Sequence, residues 1–271
     1  MARARPEVLL EAQNLSVAFR GIIALQDYHL ALRPGELLGI IGPNGAGKTT
    51  LFNALTGVVP VSGGRMLLEG RDITRLSPDA IRRAGIARTF QNIRLFRRLS
   101  VMDNMRISAQ LERPVDLLAT LARLPRFAAA ERARDTQALE TLRLLGLETY
   151  RDAPADSLPY GVQRRLEIAM AVVARPRVLL LDEPAAGLNP AEVEALMQLI
   201  VRLHAGLKLT VMLIEHNMRV VMGVCQRIQV LHYGALIADG PPDEVQRHPR
   251  VLEAYLGVSD PGFLGQQAGA S

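Results

Sequence analysis

The octapeptide GPNGAGKT, Gly42–Thr49, limits what this chain can fold into more than any other stretch. It satisfies the pattern G-x-x-x-x-G-K-[ST] in full. It follows ELLGII (residues 36–41), a continuous apolar run that suits a strand buried on both faces. A helical pattern starts from about Lys48. Strand, loop and helix in that order make a phosphate cradle. Gly42, Gly45 and Gly47 let the backbone turn tightly and aim its N–H groups inward, with Pro43, Asn44 and Ala46 between them. The helix N-terminus adds positive potential, and Thr50 completes the nucleotide-binding set. Lys48 would reach the β- and γ-phosphates, and the Thr49 hydroxyl would help hold Mg²⁺. Lys48 is one of two lysines in a chain with 32 basic residues, so a lysine here answers to chemistry and not to composition.

The remaining pattern extends this beginning. Residues 7–33 read as short alternating strands, and 64–70 as another strand. Residues 92–157 are mostly helical in pattern and rich in Arg, Leu and Ala. Residues 177–184 and 208–216 read as strands, and 227–240 as a hairpin turning near Gly234. The stretch 190–207 puts Val193, Leu196, Met197, Ile200 and Val201 on one helical face, with Pro190 at its first position. Residues 241–257 form a short helical end, and 258–271 a loose tail. Alternating strands and helices imply an α/β fold with a mainly parallel core sheet, and the β-rich start implies a smaller antiparallel layer.

RVLLLDEP (177–184) ends a strand with two carboxylates. Beside a glycine loop, Asp182 fits the Mg²⁺-coordinating acid of nucleotide hydrolases, and Glu183 would face the γ-phosphate and polarise a water. Bulk properties exclude other classes. The net charge of +5 comes without any run of five like charges, and there are five Tyr and no Trp to stack on bases. Nucleic acid binding is therefore not expected. One cysteine, Cys225, excludes an internal disulfide framework and reads as a small buried hydrophobe. No window of about 18 uninterrupted apolar residues exists and no secretory signal is visible, so a cytoplasmic protein is expected.

The ordered set of motifs resembles an ATP-binding cassette ATPase, the motor of an ABC transporter, over about residues 8–257. The order is glycine loop, TFQ with Gln91, a signature before a helix at Leu158–Val162, LLLDEP, the loop GLNP and an isolated His216 after LIE. The resemblance implies one P-loop cassette domain over 7–257, with a helical subdomain at about 92–175. It implies that Gln91 contacts Mg²⁺ and the attacking water and senses a membrane partner. It further implies that His216 contacts the γ-phosphate and that Phe19 stacks on adenine. The cofactors implied are ATP and Mg²⁺, held at Thr49, Gln91 and Asp182. A second cassette would be met head to tail, so that each signature serves its partner's nucleotide.

The signature departs from the common L-S-G-G-Q. Leu158, Pro159, Tyr160, Gly161 and Val162 stand there, without the Ser and Gln side chains. Asn189 also replaces a common Asp. Together with RTFQNIRLF, DEPAAGLNP and HPRVLEAYLG, and an insert around 112–135, these departures resemble the ATP-binding subunits of branched-chain amino acid importers. The implied partners are a second ATPase subunit, transmembrane permease subunits and, indirectly, a periplasmic solute-binding protein. The implied location is the cytoplasmic face of the inner membrane. Alternatives are the ATPase of a urea or amide importer, that of lipopolysaccharide export, or a regulatory cassette with weak hydrolysis. A chromosome- or repair-type cassette would need hundreds of residues of coiled coil between glycine loop and signature, where 110 residues separate Lys48 from Leu158.

Overall fold

Five-residue apolar strands without alternation can only be buried on both faces, and the core sheet is built from them. In the computed structural model, which describes residues 7–91, 93–110 and 125–256, β3 (Leu37–Ile41), β7 (Val178–Asp182) and β8 (Thr210–Ile214) are buried throughout. With β6 (Ile86–Arg88), β9 (Arg227–His232) and β10 (Ala235–Gly240) they form a six-stranded sheet in the order β10-β9-β3-β8-β7-β6. Every neighbouring pair is parallel except β9–β10.

Alternate residues of each strand face opposite ways. Leu38, Ile40, Leu180, Met212 and Ile214 pack against α1 (Lys48–Leu55) and a second sheet. That sheet is antiparallel, in the order β2-β1-β4-β5, formed by β1 (Leu10–Phe19), β2 (Ile22–Leu32), β4 (Gly63–Leu68) and β5 (Arg71–Asp72). Leu37, Ile41, Leu179, Leu181 and Leu213 face the other way, into a helical layer. The short strands expected in 7–33 are two strands of ten and eleven residues. The stretch EGRD does more than end β4. Glu69 and Gly70 take φ 49° and 76° and turn the chain back into β5. Tyr233 and Gly234, at φ 46° and 78°, make the same kind of turn between β9 and β10, where the hairpin was expected.

α2 (Pro78–Ala84) buries Ile81 on the same side as α1. The helices on the far side are α3 (Val101–Gln110), α4 (Pro125–Leu144), α5 (Tyr160–Val172), α6 (Pro190–Leu207), α7 (Met218–Val224), α8 (Pro242–Gln246) and α9 (Pro249–Leu256). α3 packs on both α4 and α5. The irregular stretch before α3 is ordered by one buried side chain. Asn104 Oδ1 accepts from Phe96 N at 2.9 Å, and its Nδ2 donates to the carbonyls of Phe96 and Ser100 at 3.1 and 2.9 Å. The region expected to be mostly helical therefore holds extended and turn segments as well. Much of the insert around 112–135, and the tail 258–271, lie outside the described residues.

α6 occupies the expected span, but its buried face is shifted. Val193, Leu196, Leu199, Ile200 and Leu203 are buried, Met197 is partly buried, and Val201 is 45 % exposed. The helix rests on the core over one arc, and Val201 falls just past its edge. Asn189 has a structural reason: its Oδ1 accepts from Glu192 N at 3.0 Å while Glu192 Oε2 accepts from Asn189 N at 3.0 Å, a capping box that starts α6. Cys225 is buried against Gly39, and burial pushes its thiol up to about 12.

Candidate functional site

The glycine loop sits between β3 and α1, wedged by backbone on two sides. Gly42 has φ 150°, and a Cβ there would lie 2.1 Å from Leu231 O. Gly47 has φ 101°, and its Cβ would lie 2.6 Å from Ala24 O. Neither neighbour is a side chain that can swing away. We expect Gly42→Ala to cost at least about 2 kcal/mol and to lower Tm by roughly 5 °C or more in a thermal melt. Gly45, at φ 79°, has open space around it and needs glycine for its backbone angle alone. Asn44 and Thr49 are exposed, while Ala46 is buried, with its carbonyl accepting from Gly234 N at 3.0 Å.

Gly47 is the N-cap of α1 and brings no side chain to satisfy the helix-start amides, and the first turn carries no acid. The result is an uncapped, electropositive helix end, which suits a phosphate. Lys48 is 9 % exposed, and its Nζ donates to the carbonyls of Gly42 and Pro43 at 2.7 and 3.0 Å. Burial lowers its pKa, and the charges of Glu183 and Asp182 work against that shift.

The two carboxylates at the end of β7 have different surroundings. Asp182 is buried, and its Oδ2 accepts from Arg88 Nη2 at 2.6 Å. Arg88 also donates from Nη1 to Asn53 Oδ1 at 2.7 Å and lies over the rings of Phe52 and Phe90. Glu183 takes φ 46°, a left-handed angle uncommon for such a side chain. Its Oε2 accepts from Gln91 Nε2 at 2.9 Å and lies 3.8 Å from His216 Nδ1. Gln91, Glu183 and His216, far apart in sequence, meet at one carboxylate oxygen. Among the described residues no group of three or more His, Cys, Asp or Glu could hold a metal ion. The hydroxyl of Thr49 and the carboxylate of Asp182 are hard oxygen donors that suit Mg²⁺ when phosphate and water supply its other ligands.

A further buried carboxylate lies behind this cluster. Glu215 is 1 % exposed. Its Oε1 accepts from Ala185 N at 2.7 Å, and its Oε2 from the amides of His216 and Asn217 at 3.1 and 3.2 Å. It ties the loop after Glu183 to the loop carrying His216. Burial pushes its carboxyl up, and those three amides oppose the shift. Such a group binds more protons folded than unfolded, so its contribution to stability falls as pH rises from the ordinary glutamate range through the folded value. Glu215→Gln should flatten that dependence. It should also lower Tm at neutral pH, because an amide NH₂ then faces backbone N–H groups, at about 1–3 kcal/mol. Melts across pH 4 to 8 check both.

The expected signature forms the start of α5. Leu158 and Val162 are buried, and Pro159 is the N-cap, without a capping side chain. Tyr160 is 44 % exposed and donates to Ala186 O at 3.2 Å. A Cβ on Gly161 would lie 2.6 Å from Glu192 Oε1. Phe19 is 45 % exposed at the end of β1, opposite Ile22. It sits on the hairpin whose Ala24 abuts Gly47. Sequence reading missed Arg88, Glu215 and the buried pair Arg164–Glu167. The one local signal was Glu167, a lone acid inside the run LEIAMAVV.

Residues 25–186 match the ABC transporter family, and residues 235–261 match a branched-chain amino acid ATP-binding cassette transporter segment. The chain is 41 % identical to the high-affinity branched-chain amino acid transport ATP-binding proteins BraF of Pseudomonas aeruginosa and LivG of Escherichia coli K12. Each alignment covers 92 % of this chain and 98 % of the relative. Its fold superposes on the ADP conformation of MJ1267, an ATP-binding cassette of an ABC transporter, with TM-score 0.80 and 28 % identity, over 93 % of this chain and 99 % of that one. A complete glycine loop, a paired carboxylate strand end and these matches over most of its length place the chain in the ABC transporter family, as an ATP-binding cassette.

Proposed function

We propose that this cassette binds and hydrolyses ATP to drive an importer of branched-chain amino acids. The meeting of Gln91, Glu183 and His216 at one carboxylate oxygen, beside Lys48, carries the reading. In it, the loop Gly42–Thr50 binds the phosphates through Lys48 and backbone amides, and Phe19 offers an exposed ring to the adenine. Glu183 orients the attacking water, with Gln91 donating to it and His216 facing the γ-phosphate. Mg²⁺, when bound with the nucleotide, neutralises phosphate charge, and Thr49, Asp182 and Gln91 would hold it. Arg88 keeps the Asp182 carboxylate in place from the opposite side.

The substrate reading rests on likeness to BraF and LivG and on the matching C-terminal segment. The domain reading is one cassette over 7–257 with a helical subdomain at about 92–175. A groove of about 200 Å³, lined by Phe90, Arg94, Glu167 and Met170 among others, opens between the Gln91 loop and α5. We read it as the seat of a permease subunit. No described helix is long and apolar enough to cross a membrane, which fits a subunit held at the cytoplasmic membrane face by its permease. A second cassette, the same or different, faces the signature, and a periplasmic solute-binding protein would act indirectly.

The test is reconstitution with the neighbouring permease subunits. ATP turnover that rises when a leucine-loaded binding protein is added supports the reading; turnover blind to every branched-chain amino acid sinks the substrate assignment. Pro159 favours a second outcome within the same complex. It has neither an amide N–H nor a hydroxyl, so it weakens the site held by the partner. Pro159→Ser should alter turnover at the partner's nucleotide first, and an effect confined to the nucleotide on Lys48 would refute the head-to-tail pairing.

A further inference from the structure

The buried ion pair in α5 has a target. Arg164 is 1 % exposed and Glu167 is 5 % exposed. Arg164 Nη1 donates to Glu167 Oε2 at 2.8 Å and to Phe90 O at 2.9 Å, and Nη2 donates to Gln91 O at 2.9 Å. Glu167 Oε1 accepts from Phe90 N at 3.1 Å. Two side chains of one helix therefore hold two carbonyls and one amide of consecutive residues in a loop some 75 positions upstream. Burying such a pair is costly, and an apolar pair of the same volume would serve the core as well or better. The arrangement calls for a purpose beyond packing.

Gln91 supplies one. Its side chain is exposed, yet its Nε2 stands 2.9 Å from Glu183 Oε2. A free glutamine side chain on a loose loop would lose rotamer freedom to hold that contact. Held at Phe90 and at its own carbonyl, Gln91 starts from a fixed backbone. The other end of the clasp reaches the signature. Arg164 Nη2 lies 3.5 Å from Tyr160 OH, which in turn donates to Ala186 O in the loop after Glu183. Glu167 also lines the groove beside Phe90.

We propose that Arg164 and Glu167 are positioning residues that clasp the Phe90–Gln91 backbone and so set where the Gln91 amide meets Glu183. Through Tyr160 the same clasp joins the partner-facing signature to this chain's own water-orienting carboxylate. The proposal rests on the ATPase reading for its catalytic consequence, though the clasp itself can be measured without nucleotide.

The experiment replaces the pair with apolar residues, Arg164→Met together with Glu167→Leu, in the full chain. Apolar replacement of a buried pair is often neutral in itself. Three backbone groups lose their partners, however, so a loss of a few kcal/mol is expected, and a thermal melt of the variant shows that the fold persists. Hydrogen exchange at the Phe90 amide, in nucleotide-free protein, should quicken on the order of 10- to 100-fold. In the assembled transporter kcat should fall roughly tenfold or more, with KM for ATP changed by less than about threefold, because the glycine loop is untouched. Arg164→Lys, which keeps the charge but offers one nitrogen where the guanidinium uses both Nη1 and Nη2, should move both readouts the same way by a smaller factor. Unchanged exchange at Phe90 in both variants overturns the clasp, and faster exchange with wild-type kcat overturns its role in placing Gln91. If the unaltered transporter does not hydrolyse ATP at all, the ATPase reading fails while the exchange result still decides the clasp.

Discussion

Glu183→Gln is expected to leave ATP bound and to slow its hydrolysis by roughly 10²–10⁴, about 3–5 kcal/mol of barrier. The substitution keeps the shape of the side chain and an oxygen that can accept from Gln91 Nε2, which stands at 2.9 Å. It removes the negative charge that would draw a proton from the attacking water. Glu183 owes its position to the backbone: it follows Asp182 at the end of β7, its N–H donates to Ile214 O at 2.9 Å, and it takes a left-handed φ of 46°. Glutamine at the same φ carries the same strain, so fold stability should not confuse the result. Single-turnover hydrolysis, paired with a nucleotide-binding titration, separates the two steps. Binding with near-normal hydrolysis would remove Glu183 from the chemistry.

Lys48→Ala should weaken ATP binding by roughly 10- to 100-fold, since a hydrogen bond to a charged group is worth about 1.5–3 kcal/mol. The ammonium donates to Gly42 O and Pro43 O at 2.7 and 3.0 Å, which turns it into the loop. Burial disfavours its charge, while Glu183 and Asp182 favour it. A phosphate arriving at the uncapped start of α1 adds negative charge beside it and strengthens the charged form further. Alanine removes that attraction and leaves two loop carbonyls without their donor. Isothermal titration with ATP in the presence of Mg²⁺ measures the loss. Wild-type affinity in this variant would contradict the assignment of the loop as the phosphate site.

Most of the scaffold was legible because it is written in local patterns. Continuous apolar runs marked β3, β7 and β8, glycines with positive φ marked the glycine loop and the β9–β10 turn, and α6 ran over its expected residues. What local pattern left open was settled by packing. Val201 shares a helical face with Val193 and Ile200 yet is 45 % exposed, because helical spacing shows which residues share a side, not where the neighbouring element's edge lies. Asn189, where Asp is common, serves as the cap of α6, with its partner Glu192 three places on.

By itself the sequence determined the glycine loop between β3 and α1 and the parallel core, since each depends on neighbours in the chain or on a fixed period. Tertiary structure alone decided which polar groups meet. Arg88 reaches Asp182 across 94 positions, Gln91 reaches Glu183 across 92, and Arg164 reaches Phe90 across 74. Such pairings carry no period and no spacing. They exist because parallel strands β6 and β7 lie side by side and α5 packs over the loop after β6, which brings distant polar groups together; the buried ones, Arg88 with Asp182 and Arg164 with Phe90 O, must find partners there.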